Sequence, residues 1–312
     1  MTTALETTPG HGTVTYRLGH IAALRHNGEM IDTGDVLDVE VTSAGRVHQP
    51  HVAIVGGDVH RRSAWVQRVV DALADSNDPS AVRFAFIDRG TRNDHGAGHG
   101  SHTAGTFELW RDQVMPTGRA TERAQMVTWL VRVLNGRADV LAQTRQDTGE
   151  DYATIAERNY AGGYDGSPAI FVVVDSGDSA HGVETPEHVQ LGNYYADISE
   201  DDVYAKIHRH GAALGVFLIR TLPDTTAYKA RALGYDVVID LDDAVDAAPT
   251  TIAWVTGDDG REFAEYLLDS DAAAGPAAGT DTAGTAQTSG AVPETRDEHE
   301  TPATDEQRGQ ED

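Results

Sequence analysis

Short, mostly apolar runs alternate with amphipathic stretches along most of this chain. His51–Val55, Val82–Asp88, Ala169–Val174, Leu214–Ile219 and Tyr235–Leu241 have the length and content of strands buried on both faces. Between them, Ala64–Leu73 carries apolar Trp65, Val66, Val69, Val70 and Leu73 at helical spacing, and Thr121–Gln143 carries Met126, Trp129, Leu130, Val133 and Leu134. Asp151–Tyr160, Asp201–His210 and Asp224–Leu233 read as further helices, and Thr251–Thr256 as a last strand before the turn at Gly257-Asp-Asp-Gly260. Strands alternating with helices at these spacings predict an α/β domain with a mostly parallel sheet and helices on both faces.

The two ends differ from this pattern. Gly12–Thr42 alternates in V-T-Y-R-L-G-H-I, turns at Asn27-Gly28 and resumes with Val36, Val39 and Val41, which predicts a small antiparallel β layer over 12–48 ahead of a core over 49–268. Residues 1–11 are polar, and 269–312 are Ala, Gly, Thr, Ser, Pro, Glu and Asp with almost no large apolar residue. Both are expected to be disordered, since such compositions bury too little surface to order themselves.

Charge and cysteine content narrow the function classes. The net charge is −26, with 50 acidic against 24 basic residues, and only Lys206 and Lys229 are lysines. The last 44 residues hold 11 acids and two arginines, so most of the excess lies in the body. An acidic body is repelled by a phosphate backbone, which disfavours DNA as a partner unless arginines gather on one face. The absence of cysteine excludes disulfide frameworks, thiolate catalysis and zinc fingers. No signal sequence opens the chain and no apolar run is long enough to span a bilayer, so a soluble cytoplasmic protein without membrane insertion is expected.

Candidate chemistry gathers where the strand at 51–55 meets the helix at 64–75. Laid over G-x-x-x-x-G-K-[ST], Gly56 takes the first position, Gly57 to His60 the variable ones, then Arg61, Arg62 and Ser63. Gly56 and Ser63 fit. Arg61 stands where the second glycine lets the backbone curl around phosphates, and a side chain held there at positive φ costs about 1–2 kcal/mol. Arg62 keeps the charge of the motif's lysine but not its compact ammonium, and Asp58 brings a carboxylate near the phosphate position. Gly56, Gly57, Arg61, Arg62 and Ser63 are the candidate nucleotide-binding residues. A second cluster, His95, His99 and His102, has spacing H-x3-H-x2-H and offers a metal set, while the glycines at 96, 98 and 100 equally suit a loop with no ligand role.

In their order these elements resemble the FtsK/SpoIIIE branch of RecA-like P-loop ATPases, including the EccC-like modules of type VII secretion, over about residues 12–268. The matching residues are Pro50-His51-Val52 before the loop, Ile87-Asp88-Arg89, Val172-Val173-Val174-Asp175-Ser176, Gly215 to Asp224, and Ala248-Pro249-Thr250 with Thr251 to Gly257 as the closing strand pair. The resemblance implies that Asp175 is the Walker B acid, which orders a magnesium-bound water. The departures fall on the chemistry. Ser176 replaces the glutamate that would polarise the attacking water, with Asp178 the nearest substitute, and Thr221 and Leu222 replace the Gln and Arg that would sense the γ-phosphate. The expectation is a catalytically degenerate ATPase domain, no enzyme in its own right, that acts as a binding or regulatory module of a secretion or DNA-translocation machine. Its partners would be proteins or its own copies, and no cofactor is expected. The alternatives are an ATP- and Mg2+-binding translocase, which would make it an ATP hydrolase, and a metal-binding protein built on the histidine loop. Arg83, Arg89 and Arg92 are candidates for an interface.

Overall fold

A computed structural model describes residues 15–26, 29–31, 36–40, 51–88, 95–96, 98–103, 106, 108–109, 119–162, 166–176, 187–191, 194–241, 244–245, 248–249, 251–256 and 263–268. In chain order the first half holds β1 (Thr15–His26), β2 (Glu29–Ile31), β3 (Val36–Glu40), β4 (Val52–Val55), α1 (Val59–Ser76), β5 (Val82–Asp88), α2 (Gly100–Thr103), β6 (Glu108–Leu109), α3 (Arg119–Thr148) and α4 (Ile155–Gly162). The second half holds β7 (Ala169–Asp175), β8 (Glu187–Leu191), β9 (Tyr194–Ile198), α5 (Glu200–Leu214), β10 (Val216–Leu222), α6 (Ala227–Ala232) and β11 (Val237–Asp240). It ends with β12 (Ala244–Val245), β13 (Ala248–Pro249), β14 (Thr251–Thr256) and β15 (Phe263–Leu268).

The five apolar runs form a parallel array in the order β11-β4-β10-β7-β5, continued by the two residues of β6. Counted in chain order, the array runs 5-1-4-3-2. The first strand therefore sits between the last two, and the carboxyl ends of β4, β10 and β7 open side by side where such sheets take their ligands. Every residue of β4 and β10 is buried. Val52 and Ile54 face α1 through Trp65, Val66, Val69, Val70 and Leu73. Ala53 and Val55 face the other layer, made by Met126, Val127, Leu130 and Leu134 of α3 with Val203, Tyr204 and Ile207 of α5. Each such side chain contributes roughly 1.5–3 kcal/mol by leaving water, which is why both faces must be covered. The chain is thus an α/β protein of RecA-like type, a mostly parallel sheet with helices on both faces.

Several elements differ from the sequence reading. The small N-terminal β layer, β1 to β3, is joined to the main sheet: β14 and β15 add antiparallel strands beyond β11, and β1 pairs with β15. The strand β15 and the hairpin β8–β9 are additional to the sequence reading, and β8 begins one residue after Pro186 in a stretch that reads as polar. Ala248-Pro249, matched above to a closing strand pair, instead pairs with β12, and the pair that closes the sheet is β14–β15. The helix α1 starts at Val59, five residues before Ala64, because Asp58 caps it. Leu214 is the last residue of α5 and not part of a strand; Gly215 follows in the left-handed conformation at φ 64° and ends the helix. The expected disordered ends at 1–11 and 269–312, Arg89, Arg92 and Asp178 lie outside the described residues. Among the described residues, no helix is long and apolar enough to cross a membrane.

Candidate functional site

The strand β4 ends in two consecutive glycines at positive φ, 65° for Gly56 and 61° for Gly57. They turn the chain sharply enough that α1 begins only three residues after β4. Arg61 and Arg62 therefore lie inside the first turns of a helix, and the positive φ expected of Arg61 is taken by the glycines, which adopt it without strain. A Cβ on Gly57 would stand 2.8 Å from the Cβ of Leu241. Gly57→Ala is expected to destabilise the domain by at least about 2 kcal/mol, the left-handed conformation and the contact adding together. Urea denaturation checks this, and an unchanged midpoint would rule out the double-glycine turn.

Asp58 occupies the N-cap of α1. Its Oδ1 accepts from the backbone N–H of Arg61 at 2.9 Å, and its carbonyl accepts from the N–H of Arg62 at 3.0 Å. The hydrogen bond from Arg61 is the main reason that the carboxyl titrates below its ordinary value. The positive end of the helix, where a P-loop would receive phosphate, already faces a carboxylate of the chain itself. The arginines fold onto the backbone. Arg61 donates from Nη1 to the Leu241 carbonyl at 2.6 Å. Arg62, only 2% exposed, donates from Nη1 to the carbonyls of Gly56, at 3.1 Å, and of Gly57.

One turn further on, Ser63 Oγ donates to Asp175 Oδ2 at 2.5 Å. The sheet register makes this contact: β7 lies beside β10, which lies beside β4, so the end of β7 faces the first turns of α1. The other carboxylate oxygen of Asp175 accepts from Thr221 Oγ1 at 3.2 Å, and Thr221 Oγ1 itself accepts from the Ser176 N–H at 2.7 Å. Among the described residues the buried Ser176 hydroxyl has no hydrogen-bond partner, and a hydroxyl cannot serve as a general base at neutral pH.

The histidine segment runs along α1. His95, buried, places Nε2 2.9 Å from Asp175 Oδ2 and Nδ1 3.1 Å from Gln67 Oε1. His99 Nε2 meets Asp71 Oδ1 at 2.8 Å, and His102 Nε2 meets the Asn77 carbonyl at 3.1 Å. The three imidazoles share no partner, and among the described residues no group of three His, Asp or Glu side chains is placed to hold a metal ion. The structure thus joins one member of the histidine set to the nucleotide set through Asp175. Arg83, an interface candidate, donates to the Ser101 carbonyl and helps to seat this segment.

Gln67, Asp71 and Leu241 complete the site without any mark in the sequence, and Asp58 and Thr221 complete it in roles other than those the sequence suggests. Asp58 carried a signal, an N-cap residue just before an apolar helical pattern. Thr221 read only as a departure from the family pattern, and its bond to Asp175 crosses 46 residues of chain.

No protein-family model matches the sequence, and no curated protein matches it. Solved structures do. The cytoplasmic domain of the Thermomonospora curvata type VII secretion ATPase EccC superposes with a TM-score of 0.53 at 14% identity, over 84% of this chain and 29% of that one. EssC, ATPases 2 and 3, from Geobacillus thermodenitrificans gives 0.49 at 14%, over 81% and 46%. The pCW3 conjugation coupling protein TcpA gives 0.45 at 11%, over 84% and 68%. This chain spans less than half the length of the first two. Sheet order, loop position and the EccC superposition together give the chain the fold of an FtsK/SpoIIIE-type P-loop ATPase domain.

Proposed function

We propose that this domain is a binding or regulatory module of a secretion or DNA-transfer machine, built on an ATPase frame that no longer turns over nucleotide. The observation that carries the reading is Arg62. In a working loop the corresponding lysine reaches out to the β- and γ-phosphates. Here the guanidinium is buried and donates to the loop's own carbonyls. Asp58 at the helix N-terminus and Ser176 beside Asp175 act in the same direction, the first by repelling phosphate and the second by supplying no base. The fold shared with the EccC domain supports placement among translocation machines, whose partners for this domain would be a protein segment, a second ATPase module or another copy of the chain.

The Ser63–Asp175 pair favours a second reading, an ATP-binding translocase, because these are the residue types that hold Mg2+ in P-loop enzymes. Calorimetry of the full chain with ATP and Mg2+ separates the two. The first reading expects no heat of binding up to millimolar nucleotide, and a micromolar dissociation constant would overturn it in favour of the second.

A further inference from the structure

We infer that His95 stands in for the magnesium ion of this fold, an internal lock that keeps the Ser63–Asp175 pair from a metal-bound nucleotide. The inference rests on reading this site as a closed P-loop. In P-loop enzymes the loop Ser/Thr and the acid at the end of the third parallel strand share the ion. Here Asp175 Oδ2 accepts from Ser63 Oγ at 2.5 Å and faces His95 Nε2 at 2.9 Å, so the serine and the imidazole meet on one buried carboxylate oxygen. A magnesium ion at that oxygen would collide with the ring.

The ring is braced from behind. Gln67 donates its amide nitrogen to Asp71 Oδ1 at 2.7 Å, which turns its Oε1 towards His95 Nδ1. Asp71 in turn receives His99 Nε2. An oxygen therefore faces each ring nitrogen of His95, Asp175 Oδ2 on one side and Gln67 Oε1 on the other, which fixes the plane of the ring against the carboxylate. Further on, His102 meets the Asn77 carbonyl, the Ser101 carbonyl accepts from Arg83, and Thr106 Oγ1 donates to the Phe84 carbonyl. The described residues from His95 to Thr106 form a strap fastened to α1 and β5 at several points, with the imidazole at its site end.

The test needs a loop that can take phosphate, so the full-length chain is compared in four forms: natural, Arg62→Lys, His95→Ala, and Arg62→Lys with His95→Ala. Each is titrated with ATP in excess Mg2+ and again in EDTA. Arg62→Lys alone is expected to bind ATP with the same affinity in both buffers, because the metal position is filled. Adding His95→Ala is expected to make Mg2+ tighten binding by about tenfold or more. Gln67→Ala in the Arg62→Lys background, which removes the brace and leaves the ring, is expected to move the same way by a smaller factor, and it serves where His95→Ala fails to fold. The lock is overturned if Arg62→Lys alone already responds to Mg2+, or if the unlocked forms bind ATP without a metal response or do not bind it at all. Tight binding by the natural chain is a different result, which overturns the closed-loop reading itself.

Discussion

Arg137→Met is expected to destabilise the domain by about 4 kcal/mol, with the urea midpoint falling accordingly and the melting temperature dropping by roughly 10 °C. Arg137 projects from α3 to the place where α5 ends and β7 and β10 begin. Its Nη1 donates to the carbonyls of Leu214 and Gly215, each at 2.7 Å, and its Nη2 to the carbonyl of Pro168. Burial lowers its pKa to about 10, still far above neutrality, so the group stays charged and lies against the negative end of α5. Removing it takes a donor from three carbonyls at once. Gly215 keeps the N–H of Ile170, whereas among the described residues no other donor reaches the Leu214 and Pro168 oxygens, and leaving the two acceptors unpaired costs about 1–3 kcal/mol each. Methionine retains much of the apolar stem, so the loss reports the hydrogen bonds more than the packing. Arg137→Lys should lose about half as much, since one ammonium cannot span the three oxygens in the guanidinium's geometry. A loss below about 1 kcal/mol for the methionine variant would mean that water serves these carbonyls.

The contrast between Arg137 and the loop arginines bears on how far the sequence could be read. The parallel strands were legible because burial on both faces demands unbroken apolar runs, and Ala169–Asp175 has no other plausible use. The strand β15 was not, because F-A-E-Y-L-L follows a turn and its pairing with β14 and β1 is decided by tertiary contact. The frame of the loop was legible from Gly56 to Ser63. Its conformation was not, because motif logic assigns roles by position, and the local competition was won by Asp58, whose carboxylate starts the helix at Val59. Arg62 could be identified from sequence as the wrong cation, but its turning back onto Gly56 and Gly57 follows from that early helix start, which places it beside the carbonyls of the turn. The spacing of His95, His99 and His102 suggests a single set. Spacing alone cannot say that α1 would offer each a separate partner, Gln67, Asp71 and the Asn77 carbonyl. Long-range contacts such as Asp175 with His95, 80 residues apart, are set by which strand ends face which helix, and the strand order becomes visible only in the fold.

Acid should unfold this domain at a mildly low pH, through two histidines at the opposite end of the sheet. His51, just before β4, accepts the Leu218 N–H on Nδ1 at 3.1 Å and stacks edge-on with His208 of α5 at 4.6 Å between ring centres, and His208 meets Tyr235 at 4.5 Å. Burial, then the charge of His208, lowers the pKa of His51 to about 3; burial, then the nearby Arg220, lowers that of His208 to about 4. Arg220 itself lies over the Tyr204 ring and 3.4 Å from Asp201. Both groups titrate near 6.5 when the chain is unfolded. Above that pH both states hold them neutral, and the full stability is present. As pH falls below 6.5 the unfolded chain takes up protons that the folded one refuses, and stability declines until the folded values near 4 and 3 are passed. Well inside that window each histidine removes about 1.4 kcal/mol per pH unit, so the pair should cost on the order of 3–4 kcal/mol between pH 6.5 and 5. The variant that isolates the effect is His208→Phe, because Nδ1 of His208 has no hydrogen-bond partner among the described residues and the edge contacts need only a ring. Its stability should match that of the natural protein at pH 7.5 and exceed it by about 1–2 kcal/mol at pH 5, with a shallower acid slope in urea titrations. Parallel curves for the two proteins would place the acid sensitivity elsewhere, and His51, whose protonation at Nδ1 would break its bond to the Leu218 amide, would be the next residue to replace.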